Sequence, residues 1–229
     1  MMGSERILLT LGIIGGTGKE GQGLAYRWAG SGYPVILGSR SEEKALAAAQ
    51  VLNARLGEAI VRGMGNAEAV AACDIAVLTV PYGAHRQTLE GLKPQLAGKV
   101  LVDVTNPAIP PRLSEVQLPA SGSAAVESQQ VLGGDVQVVS AFQNISHDLL
   151  LEDDGAACDV LVTGDSKEAK EQVLQLVEAL GLTGWDAGPL KNAVVAESLT
   201  AVLIGLNRRY KLKGAGIRIV GERLDPRGS

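Results

Sequence analysis

The chain has 229 residues, 46% of them hydrophobic, which suffices for one large α/β unit and excludes wholesale disorder. With 21 basic against 25 acidic side chains, a net charge of −4 and no basic block, it lacks the face that displaces counterions from a polyanion, so a nucleic-acid partner is disfavoured. No stretch approaches the ~18 consecutive apolar residues of a membrane span, and the first residues lack the apolar core of a signal peptide, so a cytoplasmic protein away from membranes is expected.

Short apolar runs alternate with segments of helical period, the pattern of a parallel sheet with crossover helices. Residues 7–14 read as the first strand, followed by a glycine-rich turn and a helix to about Trp28. Residues 33–37 form a second strand, and Ser41 is placed to cap a helix that runs through Ala45, Ala48 and Leu52 to a stop at Gly57. A third strand over 60–64 leads to a short helix with Asn66 as its cap. The next strand, 74–81, ends on Pro81 and gives way to a helix carrying Leu89 and Leu92. Residues 99–104 are a further strand.

Residues 108–134 are the least regular stretch, with a helix expected over 124–132. Beyond it come a strand over 136–142, a helix over 146–151 and a strand over 160–163. A helix over 167–180 capped by Ser166, a short strand over 183–186 and a long helix over 192–210 complete the chain. The fold class is therefore α/β, a Rossmann-type doubly wound, mainly parallel sheet. Residues 1–150 make the dinucleotide-binding domain, and 151–229 a smaller α/β portion that ends in the long helix and completes a substrate cleft.

Gly16-x-Gly18-x-x-Gly21 sits between a strand and a helix, the setting that makes this motif a dinucleotide fingerprint. Gly16 is expected to permit the tight turn, Gly18 to admit the pyrophosphate, and Gly21 to bring helix and strand together. The helix end offers its free N–H groups and partial positive charge to the anion. About 20 residues on, an NAD site carries a carboxylate for the ribose hydroxyl. Here that place holds Gly38-Ser39-Arg40-Ser41, with Lys44 a turn later. Ser39, Arg40 and Lys44 suit a 2′-phosphate, and the cofactor is read as NADP(H). Glu42 and Glu43 follow, turned to solvent by helical spacing.

Ligands of open parallel sheets lie beyond the carboxyl ends of the strands. That rule selects the segments after Thr79, Thr105 and Ala141 as walls of the nicotinamide pocket, with Val80, Pro81, Tyr82, Asn106, Gln143, Asn144, Ser146 and His147 available there. No Ser-His-Asp set, carboxylate pair or metal-ligand cluster can be made out, so no metal is expected. His85 reads as a helix-surface residue, while His147 is a candidate for contact with cofactor or substrate. Cys73 and Cys158 read as buried, reduced side chains. A site poor in acid–base groups suits hydride transfer by positioning alone, with no catalytic side chain.

Several segments carry a resemblance: Ile14-Gly15-Gly16-Thr17-Gly18, Gly38-Ser39-Arg40-Ser41-Glu42-Glu43-Lys44, residues 76–81, 138–144 and 159–165, and Asp186-Ala187-Gly188-Pro189-Leu190 with Glu197-Ser198-Leu199-Thr200. In these the chain resembles the NADPH-dependent coenzyme F420 reductases, also called F420-dependent NADP oxidoreductases. The resemblance implies an oxidoreductase that passes a hydride between nicotinamide C4 of NADP and C5 of the deazaflavin F420, the co-substrate, in a homodimer. By position it implies Thr17, Gly18, Lys19 and Glu20 at the pyrophosphate, Ser39, Arg40 and Lys44 at the 2′-phosphate, and Tyr82, Arg86 and His147 along the rest of the cofactor groove. Gln143, Asn144, Ile145 and Ser146 would face the deazaflavin, Ile145 beside its ring.

Two other readings keep NADPH: a reductase of flavins or metal chelates, and a non-catalytic NADPH-sensing module. The last helix shows an apolar face through Val195, Leu199, Val202, Leu203 and Leu206, divided between core and dimer contact. Its basic end, Arg208-Arg209-Tyr210-Lys211-Leu212-Lys213, either attracts the anionic tail of F420 or simply complements the helix C-terminus.

Overall fold

In a computed structural model, which describes residues 8–146, 150 and 158–221, eight strands form one sheet in the order β3-β2-β1-β4-β5-β6-β7-β8. The strands are β1 (Leu11–Ile14), β2 (Val35–Ser39), β3 (Val61–Gly65), β4 (Ile75–Leu78), β5 (Val100–Asp103), β6 (Gln137–Ser140), β7 (Asp159–Gly164) and β8 (Thr183–Asp186). Every pairing is parallel except that of β6 with β7. The order reverses between β1 and β4, the switch point at which doubly wound sheets open a crevice.

Helices cover both faces. On one lie α1 (Lys19–Gly30), α2 (Glu42–Leu56) and α6 (Lys167–Ala179), closing a core built around Leu24, Trp28, Leu37, Val77, Phe142, Val162 and Val173. The other carries α3 (Asn66–Ala71), α4 (Tyr82–Leu96) and α5 (Ala124–Leu132) over Ile14, Leu78, Leu89, Leu101 and Val138. The strands β1, β2 and β4 are buried at every position, as a sheet covered on both faces requires. Trp28 joins α1 to the C-terminal part of the chain: its indole N–H donates to the Leu176 carbonyl at 2.9 Å, and its ring meets Phe142 edge-on at 5.5 Å.

The helix starts and stops follow local chemistry. Ser41 and Ser166 accept from Lys44 N–H and Ala169 N–H and so cap α2 and α6. Gly57 closes α2 in the left-handed region at φ 75°. Asn66, expected as a cap, is instead the first residue of α3 behind Gly65. Its side chain is committed elsewhere, as described below. The expected helix over 146–151 falls largely outside the described residues. A long helix, α7 (Ala193–Tyr210), closes the described fold and presents a divided face. Leu203 is buried, Leu199 and Leu206 are half-buried, and Val195 and Val202 are 58% and 47% exposed.

Candidate active site

Two grooves open at the carboxyl ends of the strands. The first, about 510 Å³, is walled by the loop after β1, the end of β2 and the segment after β4, with Thr17, Lys19, Glu20, Ser39, Arg40, Lys44, Val80 and Pro81 among its lining. Gly18 precedes α1 in extended conformation, and no side chain caps that helix. The contrast with α5 is informative. There Glu197 of α7 accepts from Ala124 N–H at 2.7 Å and Ala125 N–H at 3.1 Å, and Ser123 accepts from Val126 N–H at 3.1 Å. The N-terminus of α5 is satisfied by the protein itself, whereas that of α1 is left for an anion from outside.

The glycines divide their tasks differently from the motif reading. Gly15, not Gly16, takes the positive φ, at 74°. Gly21 is required for space: a Cβ there would stand 2.7 Å from Gly16 Cα and 2.9 Å from Thr79 Oγ1. Asn66 supports this loop from α3, its side-chain oxygen accepting from Gly15 N–H at 3.3 Å. Spacing alone marked Asn66 as a helix cap, because its true partner lies 51 residues earlier in the chain.

At the far end of this groove, Ser39 is buried and its hydroxyl oxygen accepts from Ser41 N–H at 3.2 Å, leaving its own O–H to donate. Arg40 and Lys44 are exposed on the groove wall. Glu42 and Glu43 are exposed and absent from the lining, as expected for residues turned to solvent. The corner is cationic, and its described lining carries no carboxylate there. An adenosine 2′-phosphate fits its chemistry.

The second groove, about 380 Å³, lies between the turn after β6 and α7. It brings together Asn106, Gln143, Asn144, Ile145 and Ser146, and adds Val104, Phe142, Thr200, Leu203, Ile204, Asn207 and Glu20. The turn begins at Phe142, a fully buried residue held at φ 73°, where a side chain costs roughly 1–2 kcal/mol. That conformation re-aims the chain. Gln143 then donates from Nε2 to the Asp103 carbonyl at 2.7 Å and to Ser140 Oγ at 2.8 Å, and its carbonyl accepts from the Thr200 hydroxyl at 2.7 Å. Asn144 Nδ2 donates to the Asp159 carbonyl at 2.7 Å. The amide oxygens Gln143 Oε1 and Asn144 Oδ1 are buried without a partner among the described residues, in the turn that lines this mainly apolar groove. Asn106 also stands in this second groove rather than the first, its Nδ2 donating to the Glu197 carbonyl at 2.7 Å.

Three residues behave differently from the sequence reading. Tyr82 donates to Glu127 at 2.8 Å and Arg86 pairs with the same carboxylate at 3.0 Å, so both turn toward α5 and line neither groove. Burial and the Glu127 hydrogen bond push the Tyr82 hydroxyl up to about 12.

His85, expected on the helix surface, is fully buried. Its Nε2 lies 2.9 Å from Asp103 Oδ2 and 2.9 Å from Ser128 Oγ, and Ser128 also donates to that carboxylate. Burial drives the Asp103 carboxyl upward, but the His85 hydrogen bond and charge, Ser128 and Thr105 N–H together hold it below the usual range. This set is not a nucleophilic triad. The serine and histidine both bond the same carboxylate oxygen, deep behind the groove walls. His147 lies outside the described residues. Cys73 and Cys158 are buried and unpaired. No group of metal ligands occurs among the described residues, and no described helix is long and apolar enough to cross a membrane.

A doubly wound sheet with an open helix end, a cationic corner and an adjoining apolar groove defines a dinucleotide-dependent oxidoreductase. The profile of the family described as NADP oxidoreductase, coenzyme F420-dependent, matches residues 10–107. The chain is 40% identical over 220 residues to the F420-dependent NADP reductase of Methanocaldococcus jannaschii, covering 92% of this chain and 98% of that one. Similarity extends to Metalloreductase STEAP3 of Rattus norvegicus, at 34% identity over 85% of this chain but 37% of that protein. Among solved structures, an Arthrobacter sp. FB24 protein assigned as an F420-dependent NADP reductase superposes with a TM-score of 0.78 at 25% identity, covering 93% of this chain and all of that one. The chain belongs to the F420-dependent NADP oxidoreductase family.

Proposed function

We propose that this protein passes a hydride between C4 of the NADP nicotinamide and C5 of the deazaflavin F420. The observation that carries the reading is the meeting of the two grooves. A phosphate-accepting groove with a cationic corner opens beside an apolar groove, and the two share one wall residue, Glu20. Bound NADPH supplies the hydride. What the chain supplies is placement.

The first-turn N–H groups of α1 hold the pyrophosphate, while Ser39, Arg40 and Lys44 hold the 2′-phosphate and select NADP over NAD. Val80 and Pro81 close the groove on the nicotinamide side. In the second groove Phe142, Ile145, Leu203 and Ile204 make the apolar walls that exclude water from the ring. The unpartnered amide oxygens of Gln143 and Asn144, in the turn that lines this groove, support hydrogen bonding to its polar edge.

Mixing the protein with NADPH and oxidised F420 and following F420 absorbance tests the reading. FMN and a ferric chelate serve as control acceptors. Bleaching of F420 alone supports it. Equal or faster reduction of FMN or the chelate replaces it with a flavin or metal reductase, and NADPH binding without turnover on any acceptor makes the protein a sensor.

The homodimer is part of the same proposal. Val195 and Val202 on α7 are exposed apolar side chains, as are Ile109, Val116 and Leu118 in the irregular segment before α5. Sedimentation at micromolar concentration tests it, and a monomer refutes it. The two unpaired cysteines support placement in the cytoplasm, whose reducing poise keeps thiols free.

A further inference from the structure

Reduction of a deazaflavin consumes a proton as well as a hydride. The balance is NADPH + F420 + H⁺ giving NADP⁺ + F420H₂, and a site with no acid must take that proton from water. Among the described residues, the titratable groups lining the two grooves are Lys19, Glu20, Arg40 and Lys44. Three are cations suited to phosphate. Glu20 is not, and it is the residue that lines both grooves.

Its setting is unusual for an acid in the first turn of a helix. Such residues ordinarily sit in solvent as anions favourable to the helix end. Glu20 is only partly exposed, and its Oε1 is shielded from solvent with no hydrogen-bond partner among the described residues. Lys19 on its own helix, and Arg40 and Lys44 from the end of β2 and from α2, share the first groove with it. The described walls of the second groove contribute no other titratable side chain.

We propose that Glu20 is the acid of the reaction: its carboxyl supplies the proton that enters the deazaflavin when the ring takes the hydride, and recovers it in the reverse direction. The proposal rests on the reaction proposed above. The C–H bond at nicotinamide C4 breaks with its electron pair, and a C–H bond forms at deazaflavin C5. The electron pair displaced onto the pyrimidine nitrogen takes the proton from the Glu20 O–H. Glu20 is left as a carboxylate and regains its proton from water. Burial alone pushes the Glu20 carboxyl up to about 8, so the group is largely neutral at pH 7 and able to donate. A diphosphate docked on the same helix end disfavours ionisation further, because like charges repel.

The variant is Glu20→Gln, which preserves shape and cannot donate an acidic proton. In ligand-free wild-type protein, burial pushes two carboxyls up to about 8, Glu20 and Glu197. Infrared difference spectra between pH 6 and pH 10 should therefore show a protonated-carboxyl signal near 8 that loses the Glu20 component, and keeps that of Glu197, in Glu20→Gln. NADPH affinity, to which Glu20 also contributes as a wall of the first groove, should change by less than the hydride rate does. The single-turnover hydride rate should fall by about 10²–10⁴, the contribution typical of a positioned general acid, and lose its alkaline limb. A carboxyl signal near 8 that is identical in wild type and Glu20→Gln, or a Glu20→Gln rate and pH profile matching the wild type, overturns the proposal. So does an alkaline limb that survives in Glu20→Gln and disappears in His147→Gln, since the acid is then His147. A wild-type protein inert toward F420 removes the reaction and this proposal together. An active wild type with an unaffected Glu20→Gln removes this proposal alone.

Discussion

Replacing Arg40 with alanine removes the guanidinium from the cationic corner while leaving the rest of the groove intact. Arg40 is exposed and Ser39 and Lys44 remain, so the loss is that of one charge-assisted contact among three. A hydrogen bond to a charged group is worth about 1.5–3 kcal/mol, and the exposed position favours the lower part of that range. At about 1.4 kcal/mol per decade, NADPH affinity should fall by about 10- to 30-fold. NADH has no 2′-phosphate, so its affinity should move by less than about twofold. The gap between wild type and variant should also narrow in concentrated salt, because the Debye length shrinks from about 8 Å at 0.15 M to about 3 Å at 1 M. Titration of NADPH and NADH by nicotinamide fluorescence, at both salt concentrations, measures all three quantities. Equal losses for the two cofactors, or no loss for NADPH, would refute the placement of the 2′-phosphate.

Gly21→Ala drives a Cβ to 2.7 Å from the Gly16 backbone, which must move; overpacking of that kind costs about 1–3 kcal/mol, or a few degrees of Tm, and NADPH affinity should fall with it. A thermal scan with unchanged Tm would contradict the close approach. Asp103→Ala strands buried His85 and Ser128, and should destabilise the fold by about 3–5 kcal/mol at pH 7. The sign with pH follows from the depressed carboxyl. Its stabilisation is fully present above the unfolded value of about 3.9 and is lost as pH falls through the lower folded value, so the gap between variant and wild type should shrink below pH 4. Denaturant midpoints at pH 7 and pH 3.5 check this. Reversing charge at the end of α7, as in Arg208→Glu with Lys211→Glu, should raise the Michaelis constant for F420 without altering that for NADPH. An unchanged constant leaves those cations a purely structural role.

The elements that depend on near neighbours were legible in the sequence. Ser41 and Ser166 cap the helices whose starts they marked, Gly57 ends α2, and the apolar runs of β1, β2 and β4 are buried throughout. The basic corner was legible for the same reason, since Ser39, Arg40 and Lys44 lie within one strand end and one helical turn. Residues whose partners arrive from elsewhere were misread. Tyr82 and Arg86 look toward a groove by sequence position, but Glu127 on α5 claims both.

His85 did carry a signal. It lies four, seven and eleven positions before Leu89, Leu92 and Leu96, on the one face of α4 that is buried. A polar residue on such a face needs a partner, and Asp103 and Ser128 could be found only once β5 and α5 were in place. Glu20 shows the limit most plainly. Its sequence position associates it with the pyrophosphate, and only the packing of α1 beside the turn after β6 puts the same carboxyl in a second wall.

The uncapped beginning of α1 has a thermodynamic side. A missing cap typically forgoes about 1 kcal/mol of helix stability, and this fold leaves the place open where α5 fills its own with Glu197. The apoprotein is thus held slightly below the firmness its packing permits, and the dinucleotide restores the difference on arrival. Saturating NADPH should raise the melting temperature in step with the logarithm of its concentration, and a chain with aspartate in place of Gly18 would trade that dependence for a sturdier, less receptive ground state.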